Sequence, residues 1–352
     1  HYGDRIGRKT MLILSLLMMG AATFLIGLLP TYASIGVLAP VLLVVLRFIQ
    51  GFGVGGEWGG AVLMAVEHSG EGKRGFYASW PQAGVSVGLL LSTAVFALFA
   101  GLPEEQFLSW GWRVPFLLGI FLVAVGFYIR LNVMESPAFA KAKDEGVSRI
   151  PVLDAIRNHP KEIMIAMGAR FAENVSFYVF SVFVLTYGMQ KGIPQPVLLK
   201  GVLLAAAVEL AAIPLFGMLS DRVGRRPVYM AGAALPGLFA FPFFQLVGTG
   251  STPLVWLAIA VGLGILHASM YGPQAAFFSE MFGTKVRYSG ASLGYQLASP
   301  LAGGLAPLIA TALLSRGGGD PYLVAVYLIA MSCVTLASVY FARETYRGGL
   351  SA

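Results

Sequence analysis

The stretch Gly217-Met218-Leu219-Ser220-Asp221-Arg222-Val223-Gly224-Arg225-Arg226 lies between two long apolar segments, and a shorter version, Gly3-Asp4-Arg5-Ile6-Gly7-Arg8-Lys9, stands at the start of the chain. Each copy is a tight basic turn. An ionised side chain is expensive in hydrocarbon, so both turns must sit at a membrane surface while their flanks cross it. The repeat divides the chain into two related halves.

Composition agrees with this reading. Over 352 residues, 57% are hydrophobic and 12% charged, against about 25% charged in a soluble domain, and the mean hydropathy is +0.75. The formal charge of +7 is spread over short loops rather than gathered in one patch, which argues against a nucleic-acid partner. The single cysteine, Cys333, excludes an intrachain disulfide and reads as a packing residue in an apolar run. Four scattered histidines and one cysteine supply no nucleophile-base or metal constellation, so neither an enzyme, a metal site nor a cofactor is expected.

A span needs about 20 apolar residues to cross the bilayer. Suitable stretches fall near 10–30, 38–66, 76–100, 112–133, 162–188, 197–219, 227–248, 253–281, 289–314 and 321–342. Assigning alternate loops to one side gathers both basic turns and most Lys and Arg there, leaving Arg113, Lys191, Lys200 and Arg316 opposite. The basic side is cytoplasmic by the positive-inside rule. The polar loop 134–160 reads as a cytoplasmic linker between a bundle over 1–133 and one over 161–352. The repeat also includes Glu67 with Arg74 and Glu280 with Arg287, each seven residues apart across the next cytoplasmic loop of its half. Two copies of a unit about an axis along the membrane normal, with a midplane site between them, is a transporter arrangement.

The Asp-Arg-x-Gly-Arg-[Arg/Lys] turn, once per half, resembles the cytoplasmic loop motif of the major facilitator superfamily. The stretches Arg47-Phe-Ile-Gln50-Gly51-Phe-Gly53-Val-Gly55-Gly56-Glu57-Trp58-Gly59-Gly60-Ala61 and Tyr271-Gly-Pro-Gln274-Ala-Ala-Phe-Phe-Ser-Glu280 are similar to those of its metabolite:proton symporters. Members carry shikimate, 2-oxoglutarate, citrate, or proline and betaine. The resemblance runs end to end and implies twelve helices. Ten are visible and His1 stands where an initiator Met would be, so the chain is expected to lack the first two.

Gly51–Gly56 matches G-x-G-x-x-G, with Glu71 fifteen residues beyond it, yet no strand-helix-strand context surrounds it. The glycines read better as small-xxx-small pairs, Gly51 with Gly55, Gly55 with Gly59 and Gly56 with Gly60, admitting a neighbouring helix. On the same helix Arg47, Gln50 and Glu57 fall along one stripe, which must face a partner or a wet cavity. The resemblance implies a proton-coupling role for Arg47. Arg170, Glu173, Asn174, Phe177 and Tyr178 form a second stripe, able to hold a substrate carboxylate and exchange a proton or, alternatively, to make an interhelix contact. His267, Tyr271 and Gln274 form a milder third, in which His267 is expected to pack while Tyr271 and Gln274 face the cavity. Gln82, Tyr295 and Gln296 are weaker candidates, and Glu209 is an isolated acid with no evident partner.

The expectation is an all-α membrane protein of two pseudo-symmetric helical bundles, acting as a monomer in a bacterial inner membrane. It moves a small carboxylated metabolite inward with protons. Substrate binding is assigned to Arg47, Gln50, Asn174, Tyr178, Tyr271 and Gln274. Proton coupling falls to Glu57 and Glu173 with Arg47 and Arg170 as electrostatic partners. A cytoplasmic gate is assigned to Asp4, Arg8, Glu67, Arg74, Asp221, Arg225, Glu280 and Arg287. An osmolyte symporter of the proline and betaine type, an exporter and a non-transporting nutrient sensor are the competing readings.

Overall fold

The structure is a computed structural model and describes residues 6–70, 72–132, 151–284 and 286–348. Asp4 and residues 134–150 of the expected linker lie outside them. The described residues form helices and connecting turns, with no strand among them. In the first half, α1 (Arg8–Leu28), α2 (Leu38–His68), α3 (Arg74–Ala100) and α4 (Val114–Asn132) form one bundle. A short helix, α5 (Pro151–Asn158), occupies the end of the expected linker loop and buries Ala155 against Ile163, Phe282 and Ala291. In the second half, α6 runs as Pro160–Tyr178, a wide π-helical turn Val179–Phe183, and Val184–Gln190. It is followed by α7 (Gln195–Val223), α8 (Arg225–Gly248), α9 (Thr252–Glu280), α10 (Arg287–Arg316) and α11 (Tyr322–Tyr340).

Nine helices among the described residues are long and apolar enough to cross a membrane. The tenth expected span, 162–188, is α6. It is helical, but its first part carries charges that a lipid-facing helix could not carry, and it buries them inside the second bundle, where Arg170 and Glu173 are 6% and 3% exposed. Around it Phe180, Phe183, Phe243, Phe244 and Leu263 form an aromatic and aliphatic core, closed by Val255 and Leu328. Cys333, expected to pack, is instead exposed on α11, on a helix whose outer side offers apolar residues to lipid.

Where both basic turns are described, at their last glycine, the backbone is alike. Gly7 (φ 108°) and Gly224 (φ 117°) occupy matching positions of the repeat, each in a conformation that a side chain would strain, and each starts the next helix at Arg8 or Arg225. Alanine at 224 would also bring its Cβ to 2.8 Å from Glu344 Oε2. Gly224→Ala is expected to cost about 1–3 kcal/mol of stability, checked by a lowered Tm in detergent.

The halves meet chiefly along α3 and α7, with α9 packing against α3 and α10 against α2. At Gly75 and Gly217 the backbones touch: a Cβ on Gly217 would lie 2.5 Å from the Gly75 carbonyl oxygen. The small-residue reading of α2 holds in part. Gly60 closes on Leu12 of α1, and Gly59 on Ser292 and Tyr288 of α10, whereas Cβ atoms on Gly51 and Gly55 would meet nothing within 4 Å among the described residues.

Candidate functional site

The polar stripe of α6 is the centre of a buried hydrogen-bonded cluster. Arg170 Nη1 donates to Glu173 Oε2 (2.8 Å) and to Gln274 Oε1 (3.0 Å), and its Nε donates to the Tyr295 carbonyl (3.1 Å). The guanidinium lies 3.2 Å over the Tyr295 ring, a cation-π contact. Gln274 Nε2 donates to Glu173 Oε2 (3.2 Å) and to the Tyr229 hydroxyl (2.7 Å). Arg170 is thus buried among three helices rather than placed at a surface, and Gln274 is one of its partners. Tyr271 is 5% exposed beside them.

His267 packs, 1% exposed, against the rings of Phe177 and Tyr271, and both of its ring nitrogens are engaged by carboxylates. Its Nδ1 lies 2.5 Å from Glu209 Oε1 and its Nε2 3.1 Å from Glu173 Oε1. Glu209, read as partnerless, is held by that imidazole and by the Ser86 hydroxyl at 2.8 Å. Neither pairing was legible, because the partners come from α6, α7, α9 and α3, far apart in sequence. The weaker candidates also join. Gln82 of α3 donates to the Tyr271 carbonyl (3.3 Å) and receives the Trp58 indole N–H (2.7 Å), while Trp58 stacks on Tyr295 at 3.7 Å. Two amide donors, Asn174 Nδ2 and Gln296 Nε2, are buried without a hydrogen-bond partner among the described residues. Wide π-helical turns interrupt α6 after Tyr178, α9 up to His267 and α10 after Ala298, all beside the cluster. Such turns are frequent at functional sites.

The stripe of α2 divides. Glu57 pairs with Arg130 Nη2 of α4, not with Arg47, because Arg130 at the end of its helix turns inward over α1. Arg47 is exposed, donates to Gln50 (3.3 Å), and lines an open cavity of about 1150 Å³ between α2 and α10 together with Tyr288 and Gln296. Gln50 donates to Thr23 (2.6 Å). Tyr178 is half-buried, its ring edge-on to Phe177.

At the other end of the halves the basic turns form a symmetric lattice. Glu67 lies 3.5 Å from Arg8 of its own half and 3.3 Å from Arg287 of the other. Glu280 lies 3.0 Å from Arg225 of its own half and 3.9 Å from Arg74 of the other. Asp221 bonds Arg225 (2.8 Å) and accepts the backbone N–H groups of Gly75 (2.8 Å) and Phe76 (2.9 Å), using the positive end of α3. Three residues at the end of the chain join this lattice without a signal that sequence reasoning used. Glu344 accepts the N–H groups of Arg225 (2.9 Å) and Arg226 (3.0 Å), Thr345 donates to Glu280 (2.6 Å), and the Gly348 carbonyl accepts from Arg74 (2.7 Å). A carboxylate just beyond the last span was the available signal.

Comparison with known proteins adds the family. The family model described as Major Facilitator Superfamily matches residues 1–294 and 202–350. The chain is similar to the shikimate transporter of Escherichia coli K12, 42% identical over 99% of this chain and 80% of that protein. It is also similar to an inner membrane metabolite transport protein of the same organism, 39% identical over 98% of this chain and 80% of that protein. Among solved structures, the proton:xylose symporter XylE superposes with a TM-score of 0.72 at 16% identity, over 97% of this chain and 82% of that one. The repeated basic turns, the two helical bundles meeting around a buried polar cluster and this end-to-end match make the chain a member of the major facilitator superfamily, a multi-pass membrane transporter and not an enzyme.

Proposed function

We propose that the protein takes up a small carboxylated metabolite together with protons by alternating access. The observation that carries this reading is the buried Arg170, a fork-shaped cation suited to a carboxylate, of which Glu173 holds a single nitrogen, Nη1. A substrate carboxylate can compete for that fork, and the unpartnered amides of Asn174 and Gln296 can donate to its hydroxyl or carboxyl oxygens. Gln274, Tyr271 and Tyr178 complete this wall, and Arg47 with Gln50 the wall of the other half. The similarity to a shikimate transporter supports a hydroxylated monocarboxylate. The basic turns face the cytoplasm, and the protein acts as a monomer in the bacterial inner membrane.

The test is uptake of labelled shikimate, 2-oxoglutarate, citrate and proline by cells expressing the gene, with and without a protonophore. Protonophore-sensitive uptake of one acid is the expected result. Uptake of proline alone would replace the organic-acid reading by the osmolyte one, and uptake of none would reject all four compounds as substrates.

The lattice at the basic turns acts in this scheme as the cytoplasmic gate, shut when Glu67 and Glu280 each hold an arginine of the opposite half. Glu280→Gln leaves Arg74 and Arg225 without their shared carboxylate, a loss of about 1.5–3 kcal/mol for charged hydrogen bonds. The expected outcome is a gate displaced towards its open state, read as several-fold lower uptake and faster labelling of a cysteine at Ser79 (S79C, in a C333S background) by a cytoplasmic thiol reagent. Glu67→Gln should behave alike, by the symmetry of the lattice.

A further inference from the structure

His267 poses a counting problem. Both of its ring nitrogens lie within hydrogen-bond distance of a carboxylate oxygen, Nδ1 at 2.5 Å from Glu209 and Nε2 at 3.1 Å from Glu173. A neutral imidazole has one N–H and one lone pair. With both carboxylates ionised, one of these contacts would set lone pair against lone pair, so the triad is complete only with one more proton than a neutral histidine and two carboxylates supply. Charge gives the same count. The ionisable groups facing the imidazole are Glu173 and, through it, Arg170 from α6, Glu209 from α7 and Tyr271 from α9, with Tyr229 of α8 and Tyr295 of α10 in the surrounding shell. Arg170, two carboxylates and an imidazolium sum to zero; removing the proton leaves a net negative charge among groups that are at most 6% exposed. Uncompensated charge in such a place costs several kcal/mol.

The geometry points to Glu173, His267 and Glu209 as a proton-binding site, with Glu209 as the group through which the coupled proton enters and leaves. This rests on the symport reading above. A substrate carboxylate that takes the Arg170 fork leaves Glu173 without its cation. The proton on His267 Nε2 then passes to Glu173, breaking the Nε2–H bond and forming an O–H bond. One proton from water adds to Glu209 Oε2, and the cluster with its added carboxylate is again neutral. The expected ratio is one proton per carboxylate.

Access is governed by the other half. Glu209 Oε2 is covered by the Ser86 hydroxyl of α3, a group that can donate to a carboxylate or accept from a carboxyl, so it serves both charge states. Glu209 is 1% exposed while α3 lies against α7. Exchange with water therefore requires the halves to part along that seam, which ties proton movement to the conformational cycle.

The test uses the full chain reconstituted in lipid vesicles, wild type, E209Q, H267Q and the conservative E209D. With shikimate present as the carboxylate probe, stepping the pH should produce an infrared carboxyl C=O band that E209Q abolishes and E209D restores at a shifted frequency. Proton-driven accumulation of the transported acid should be lost in E209Q and H267Q, with no concentration above the external level, and partly recovered in E209D. An unchanged band in E209Q, or wild-type accumulation and pH profile in that variant, overturns the proposal. If the wild type shows the Glu209-dependent band but moves no carboxylate, the proton site stands and the symport reading falls. If it transports while E209Q is indistinguishable from it, the reverse holds.

Discussion

Arg170→Gln is expected to abolish uptake and to destabilise the second bundle by about 3–5 kcal/mol, the usual consequence of removing one partner from a buried ion pair. The guanidinium joins α6 to α9 through Gln274 and to α10 through the Tyr295 carbonyl. Its loss leaves Glu173, 3% exposed, with His267 and Gln274 as its remaining partners. Adding Glu173→Gln to the same chain removes the stranded charge. The double variant should therefore recover most of the Tm lost by the single one while remaining inactive. A double variant as unstable as R170Q would show that the arginine acts by packing alone. Arg170→Lys keeps the charge but not the planar fork, and a strongly raised KM is expected from it if the fork receives the substrate carboxylate.

The second large effect is mechanical. Gly75 and Gly217 bring α3 and α7 into backbone contact at the end that carries the basic turns, with Ser79 Cβ 2.9 Å from where a side chain on Gly217 would begin. Gly217→Leu cannot be accommodated by rotamer change, because one of the atoms in the way is a carbonyl oxygen of the facing helix. The helices must separate by a few ångströms, which draws Gly75 and Phe76 off Asp221 and Arg74 off Glu280. The expected result is a chain held open towards the cytoplasm and unable to complete a transport cycle. Spin labels at K73C and V223C, in a C333S background, should report a longer and broader distance in G217L than in the wild type. An unchanged distance with uptake lost would place the fault elsewhere than in closure.

Both variants act on features of different legibility. The basic turns, their repeat and the glycines within them could be read directly, since a charged turn between membrane-length apolar runs has one solution and Gly224 occupies a conformation that disfavours other residues. The stripe from Arg170 to Tyr178 was legible for a similar reason, helical periodicity being local. His267, Glu209, Ser86 and Glu344 were not. A lone histidine or glutamate in an apolar helix has no local pattern, and its meaning depends on which face of another helix arrives opposite it.

What the sequence by itself determined is therefore what solvation and short-range geometry decide: the membrane-spanning class, the two-fold repeat, the surface turns and the faces of α2, α6 and α9 that carry polar groups. Pairing was decided only by the tertiary structure. Glu57 stands ten residues from Arg47 on its own stripe, about 15 Å along the helix axis, and the packing of α4 against α1 brings Arg130 to it instead, while the crossing of α6, α7 and α9 sets one imidazole between two carboxylates that stand 94 and 58 residues away in the chain. A buried charge takes the counter-charge that packing brings to its site, and packing is summed over the whole bundle rather than written in any one helix.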